Sequence, residues 1–227
     1  MLKLHYAPDN ASLIIRLVLE ELGAPYETVL VDRGSNAQQS PAYLRVNPMG
    51  TIPALETPHG VVFETAAILL WLVDRAGRLA PAVDSPDRGA FLSWMMVASN
   101  GLQTDLRQHF YAERFTTGSV AEYRRIVAER LRGHLDRYEA LLGEGHAWFG
   151  AENPTALDFY VATPLRWFAL YLQGETWFDL GHWPRLHTLA KRIETRPAMQ
   201  AAIAAEGLGE RPLSNPSPAN PPEGVAL

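Results

Sequence analysis

The hydrophobic pattern of this chain changes period once, near residue 88, and a single uniform architecture cannot accommodate that change. Lys3 to Tyr6 reads as a strand, Leu13 to Leu22 as an amphipathic helix stopped by Gly23, and Tyr26 to Val31 as a second strand. A polar loop from Arg33 to Ser40 and a short helix around Pro41 to Val46 follow. Thr51 to Leu55 then reads as a third strand, and the turn Pro58-His59-Gly60 leads into a fourth, Val61 to Phe63. An apolar helix runs from Ala66 to Arg75. Strands interleaved with helices in this order predict an α/β layer domain over residues 1–78. Residues 79–88 are rich in Pro, Gly and Asp and read as a linker. Beyond it, Gly89 to Phe115, Val120 to Leu142, Ala156 to Tyr171 and Pro184 to Glu194 all carry helical spacing, so residues 89–207 are expected to be all-α. The last stretch, 208–227, holds Pro212, Pro216, Pro218, Pro221 and Pro222 and is expected to be extended or disordered.

With 227 residues and 47% hydrophobic content, the chain has ample material for a core. A formal charge of -5 gives no electrostatic footprint for a polyanion, so neither nucleic acid nor an acidic membrane is an expected partner. The longest apolar run, Ala66 to Val73, is far short of the roughly 20 residues a bilayer span needs, and a cytoplasmic location is expected. There is no cysteine, which removes thiolate metal sites, disulfides and a cysteine nucleophile. The 7 histidines form no HxxxH pair, and no metal is expected. Any thiol chemistry here must use another molecule's sulfur.

Two short motifs carry the functional reading. In NPMGTIPALE, Asn47 to Glu56, a proline interrupts an apolar strand although it has no N–H for the ladder. A cis Ile52-Pro53 bond would turn the Ile52 main-chain polar groups outward, where an incoming peptide can pair with them; a plain edge-strand proline is the alternative. Glu64-Thr65 opens the next helix. A hydroxyl residue and free N–H groups at a helix start attract a carboxylate, while Glu64 can take an ammonium, so the pair suits an α-amino-acid head group; a plain cap next to a solvated carboxylate is the alternative.

NPxGxIPxL, a hairpin and then FETAAI together resemble the cytosolic glutathione transferases, whose thioredoxin-like first domain precedes an all-helical one. Thr155-Ala156-Leu157-Asp158 resembles the capping box of that second domain, and PRLHTLAKRIETRPA, Pro184 to Ala198, its terminal helices. The resemblance implies that glutathione is a co-substrate, that Ile52 pairs with its cysteinyl backbone and that Pro53 is the cis residue holding it. It implies that Glu64 and Thr65 receive the γ-glutamyl end, with Gln39, Gln38 and Arg33 as candidates for the glycine carboxylate. The lysine often found before the IP dipeptide is Thr51 here. A cytoplasmic homodimer that conjugates glutathione to a small electrophile, a detoxification chemistry, is the implied function. Glutathione-dependent isomerisation, dehalogenation or peroxide reduction, and a non-catalytic scaffold, are the alternatives.

Free glutathione has a thiol pKa of about 8.5, and lowering it by about two units takes roughly 2.7 kcal/mol of differential stabilisation. A hydrogen bond to a charged group supplies about 1.5 to 3 kcal/mol. YAPDNAS resembles a YxPxxCS pattern in which the cysteine position is Ala11. Ser12, at the helix start, is therefore the first candidate activator, Tyr6 the second and Asn10 the third. Phe110, Tyr111 and Phe115, beside Arg107 and Arg114, are candidates for lining an apolar acceptor pocket.

Overall fold

The computed structural model describes residues 1–172 and 175–226. They divide into two compact units: residues 1–79 with 193–212 and the segment from 216 on, and residues 80–192 with 213–215. In the first unit, β1 (Leu2–Tyr6), α1 (Ser12–Leu22) and β2 (Tyr26–Leu30) form a parallel β-α-β unit. The short α2 (Pro41–Leu44) follows, capped by the Ser40 hydroxyl, which accepts from the Tyr43 N–H at 3.1 Å. Then β3 (Ala54–Thr57) and β4 (Gly60–Phe63) form a hairpin and α3 (Thr65–Ala76) ends the segment. The sheet order is β2-β1-β3-β4, with β3 antiparallel to both neighbours. Every residue of α1 from Ser12 to Leu19 is buried, which is why this helix is apolar nearly all round. Gly23, at φ 63, terminates it, and the Ala24 N–H reaches back to the Leu19 carbonyl at 3.0 Å.

One expectation about this sheet is corrected. The third strand begins at Ala54 rather than Thr51, because Pro53 has no N–H to offer β1 and the ladder starts one residue after it. The register matters for function. Ala54 pairs with His5 on one side and Phe63 on the other, while Tyr6 pairs with Leu30. The turn after β1, the segment before β3, the start of α3 and the loop after β2 therefore all leave the sheet at the same end.

The second unit is helical: α4 (Arg88–Val97), α5 (Thr104–Phe110), α6 (Val120–Gly143), α7 (Ala156–Leu170) and α8 (Pro184–Glu194, whose last two residues group with the first unit). A π-helical turn over Ala98–Gln103 joins α4 to α5. Within it, a Cβ on Gly101 would lie 2.5 Å from His134 Cε1, so any side chain there would displace the His134 ring. His134 in turn lies 3.1 Å from Asp105, which also receives Arg130 at 2.8 Å, tying α5 to α6. The N-terminus of α7 carries the capping box of Thr155 and Asp158. The Asp158 carboxylate is fully buried and accepts from the N–H groups of Thr155 and Gly150, each at 2.8 Å. Thr155 donates its hydroxyl to the Trp148 carbonyl at 2.9 Å.

The last helix, α9 (Pro197–Glu206), packs against α1 and belongs to the first unit, although it lies within the stretch expected to form the helical half. The reason is a buried ion pair: Arg16 of α1 donates Nε–H to Glu206 at 2.7 Å, with both side chains almost fully out of solvent. Residues 208–226 form turns and irregular backbone lying partly on this unit, and Leu227 falls outside the described residues.

Candidate functional site

The turn 7–12 is built by Ser12. Its hydroxyl is fully buried, accepts from the Ala7 N–H at 3.2 Å and donates to the Ala7 carbonyl at 3.0 Å, closing the loop against the start of α1. Asp9 sits at φ 50, and its N–H is held by the Glu206 carboxylate at 2.8 Å. Between these two fixed points stand Asn10 and Ala11, both half-buried. The Asn10 side-chain amide, and the backbone N–H groups of Asn10, Ala11 and Ser12, have no partner among the described residues. Those N–H groups stand at the start of α1, where a helix favours an anion.

Tyr6 is 2% exposed, and its hydroxyl donates to Glu223 of the C-terminal segment. The Arg16 guanidinium lies over its ring, 4.8 Å from the centroid. Burial first, then the Glu223 carboxylate, hold the phenol well above its ordinary range.

At the head of β3, the Ile52-Pro53 bond is cis. Thr51 is clamped: its carbonyl accepts from Asn47 Nδ2 at 2.7 Å and from the Tyr43 hydroxyl at 2.8 Å. Asn47 is fully buried and its Oδ1 also takes the Met49 N–H at 3.0 Å, so one side chain shapes the whole turn. The next residue is treated differently. The N–H and C=O of half-buried Ile52 have no partner among the described residues. Two adjacent free main-chain groups beside a fixed carbonyl form a short receptor for an extended peptide.

Glu64 lies at φ 71, ψ 123, a conformation that costs a non-glycine residue on the order of 1–3 kcal/mol. Its side chain is exposed, and its carboxylate has no partner among the described residues. Thr65 is buried at the first position of α3, and the following N–H groups of Ala66 and Ala67 are unpaired there. Gln39 donates Nε2–H to the Gly50 carbonyl at 3.1 Å and so keeps one N–H for another acceptor. Gln38 donates to Asn36 Oδ1 at 2.6 Å, and Arg33 is half-buried on the same loop. The sheet register thus gathers Tyr6, Asn10, Ser12, Ile52, Pro53, Glu64 and Thr65 at one end of the first unit. Asn47, Arg16, Glu206 and Glu223 were not foreseen. The Asn of NPxG signals the first of these, whereas nothing local marks Glu206, 190 residues from Arg16. Among the described residues no group of three or more His, Asp or Glu side chains offers a metal site.

Comparison with known proteins gives this geometry a lineage. The family "Glutathione S-transferase, N-terminal domain" matches residues 11–75, and "Glutathione S-transferase, C-terminal domain" matches residues 101–192. The chain belongs to the glutathione S-transferase family. Over 91% of its length it is 31% identical to the whole of Glutathione S-transferase GstA from Escherichia coli O157:H7. It is 30% identical to Disulfide-bond oxidoreductase YfcG from Escherichia coli strain K12, covering 92% of this chain and 98% of that one. Among solved structures, a sphingomonad glutathione S-transferase complexed with glutathione is 32% identical, with a TM-score of 0.75, covering 91% of this chain and all of the other. A glutathione transferase from Methylococcus capsulatus is 31% identical, also with a TM-score of 0.75, over 91% of this chain and 99% of that one.

Proposed function

We propose that the protein is a glutathione transferase in which Ile52 pairs with the cysteinyl main chain of glutathione, Glu64 and the start of α3 receive its γ-glutamyl head, and turn 10–12 stabilises its thiolate. The observation that carries the reading is the set of groups without a partner among the described residues at one end of the sheet: both Ile52 main-chain groups, the Glu64 carboxylate, the N–H groups of Asn10, Ala11 and Ser12, and those of Ala66 and Ala67. Each matches one part of a γ-glutamyl tripeptide in charge and hydrogen-bonding sense. Gln39, with one amide hydrogen left, suits the glycine carboxylate. The thiol gives its proton to water, the thiolate attacks an electrophilic carbon, and the leaving group departs with the electron pair of its broken bond. The homodimer and the role in detoxification follow from the family resemblance, and the cytoplasmic location from the short apolar runs of the sequence.

The one hydrogen of the Ser12 hydroxyl is spent on the Ala7 carbonyl, so to donate to sulfur it must release a bond that shapes the turn. The Asn10 amide needs to release nothing. Asn10 is therefore assigned as the side-chain donor to the thiolate, and Ser12 as the residue that positions the turn. Steady-state conjugation of a chlorinated nitrobenzene tests this. Asn10→Ala is expected to lower kcat by about tenfold, the equivalent of one hydrogen bond to a charged group, and to move the alkaline rise of the pH–rate profile upward. Loss of rate in Ser12→Ala with an unaltered Asn10→Ala would return the role to the serine.

A second reading is favoured by the similarity to the oxidoreductase, since a chain without cysteine must reduce a disulfide with two glutathione thiols rather than its own. Those two thiols would be oxidised to one disulfide as the substrate's disulfide is reduced. Product analysis separates the readings: a thioether for transfer, oxidised glutathione for reduction.

A further inference from the structure

The C-terminal segment has a fixed root and a solvent-exposed tip. At the root, the Asn220 N–H donates to the Gly207 carbonyl at 2.9 Å, and Gly207, at φ 63, comes so close that a Cβ would stand 2.0 Å from the Asn220 oxygen. Only glycine ends α9 in this way, so the start of the strap is built into the end of that helix. At the tip, Glu223, Gly224 and Val225 are all exposed. Their contacts fall on the end of the sheet that carries the site. Gly224 packs against Leu30 and Pro8, where an added Cβ would come within 2.8 Å of Leu30 Cδ1 and 3.3 Å of Pro8 Cδ. A Cβ on Gly34 would lie 3.6 Å from a Val225 methyl, and Glu223 takes the hydrogen of the Tyr6 hydroxyl.

A phenol has one hydrogen, and here a carboxylate holds it. In that state Tyr6 cannot donate to a thiolate in the adjoining turn, and the Glu223 charge itself disfavours a second anion nearby. Lifting the tip would free the donor and remove the charge, and both changes favour the thiolate. The other charged groups facing Tyr6 are Arg16 of α1 and Glu206 of α9, which are bonded to each other rather than to the tip. We propose that the C-terminal strap is an autoinhibitory element of the glutathione site, with Glu223 as the positioning residue that withholds the Tyr6 hydroxyl from the glutathione thiol. This rests on the reading of turn 7–12 as the place where the thiol is bound.

The test uses the full chain as wild type, Glu223→Ala and Glu223→Gln, each with and without Tyr6→Phe, and a chain ending at Asn220. Three quantities are measured: glutathione binding by calorimetry, the ionisation of the bound thiol by its thiolate absorbance, and the ionisation of Tyr6 by its phenolate absorbance without glutathione. Glu223→Ala and the shortened chain are expected to lower the midpoint of the bound thiol by about one pH unit, which is roughly tenfold more thiolate below that midpoint. Tyr6→Phe is expected to abolish this gain. Glu223→Gln, which keeps an acceptor oxygen for the phenol but not the charge, is expected to give a smaller one. Phenol ionisation in Glu223→Ala is expected to begin at lower pH than in wild type. An unchanged thiol midpoint with glutathione still bound, a gain that survives Tyr6→Phe, or an unmoved phenol titration would each overturn the strap while leaving the glutathione site standing. Failure of every form, wild type included, to bind glutathione would overturn the site itself and the strap with it.

Discussion

Glu206→Ala is expected to destabilise the protein by about 3–5 kcal/mol, the usual cost of leaving one partner of a buried ion pair alone. Three things fail together. Arg16 keeps a guanidinium that is 5% exposed and no longer faces a counter-charge, the Asp9 N–H loses its acceptor, and α9 loses its polar tie to α1. The expected fall in Tm is on the order of 10 °C. Glu206→Gln, which keeps oxygen and amide groups in the same place, should lose less. The control is Glu129→Ala on α6, where the pair with Arg132 is largely solvated and worth under about 1 kcal/mol. A denaturant titration in which Glu206→Ala and Glu129→Ala shift the midpoint equally would show that the network around Arg16 is not what holds α9. Because Glu206 also fixes the Asp9 N–H, the same variant should loosen the turn that carries Asn10 and Ser12.

The second large effect concerns Asp158. Burial pushes its carboxyl up to about 6 from an ordinary 3.8, against the opposing pull of the Thr155 and Gly150 N–H groups, the Thr155 hydroxyl and Arg192. The folded chain therefore holds the Asp158 proton more tightly than the unfolded chain does. The stability this group contributes is complete below pH 3.8 and is lost as the pH rises through about 6, a change of about 3 kcal/mol across the window. Asp158→Asn removes the titration, so the advantage of wild type over this variant should shrink between acid and neutral pH. Unfolding free energies measured at several pH values in that range check it; a constant difference would mean that the carboxyl does not titrate there. Asp158→Ala goes further, leaving the buried Thr155 N–H without an acceptor at about 1–3 kcal/mol and the half-buried Gly150 N–H unpaired as well, and should be the less stable variant at every pH.

How far the sequence carried depended on the range of the interactions. Periods of two and of about 3.6 residues are local, so the strands, the helices and the division into an α/β and a helical class were readable from spacing alone. NPMGTIPALE and Glu64-Thr65 were readable for the same reason, since each motif sits within one turn or helix start. Strand β3 began later than expected because apolar character says nothing about which N–H can enter a ladder. Helix α9 fell within the stretch expected to be all-α but was not placed in the first unit, because Arg16, the partner that ties it there, lies 190 residues away in the chain. The committed state of the Ser12 and Tyr6 hydroxyls was equally hidden. It depends on a turn closing on itself and on a carboxylate 217 residues away, neither of which leaves a periodic trace.

Calorimetric titration of the full chain with reduced glutathione, alongside Glu64→Ala, tests the central claim most directly. One glutathione per chain is expected, with affinity reduced about ten- to a hundredfold in the variant, as the loss of a charge-assisted contact to the γ-glutamyl ammonium requires. Absence of binding heat in the wild-type chain, or equal affinity in the two proteins, would contradict the account.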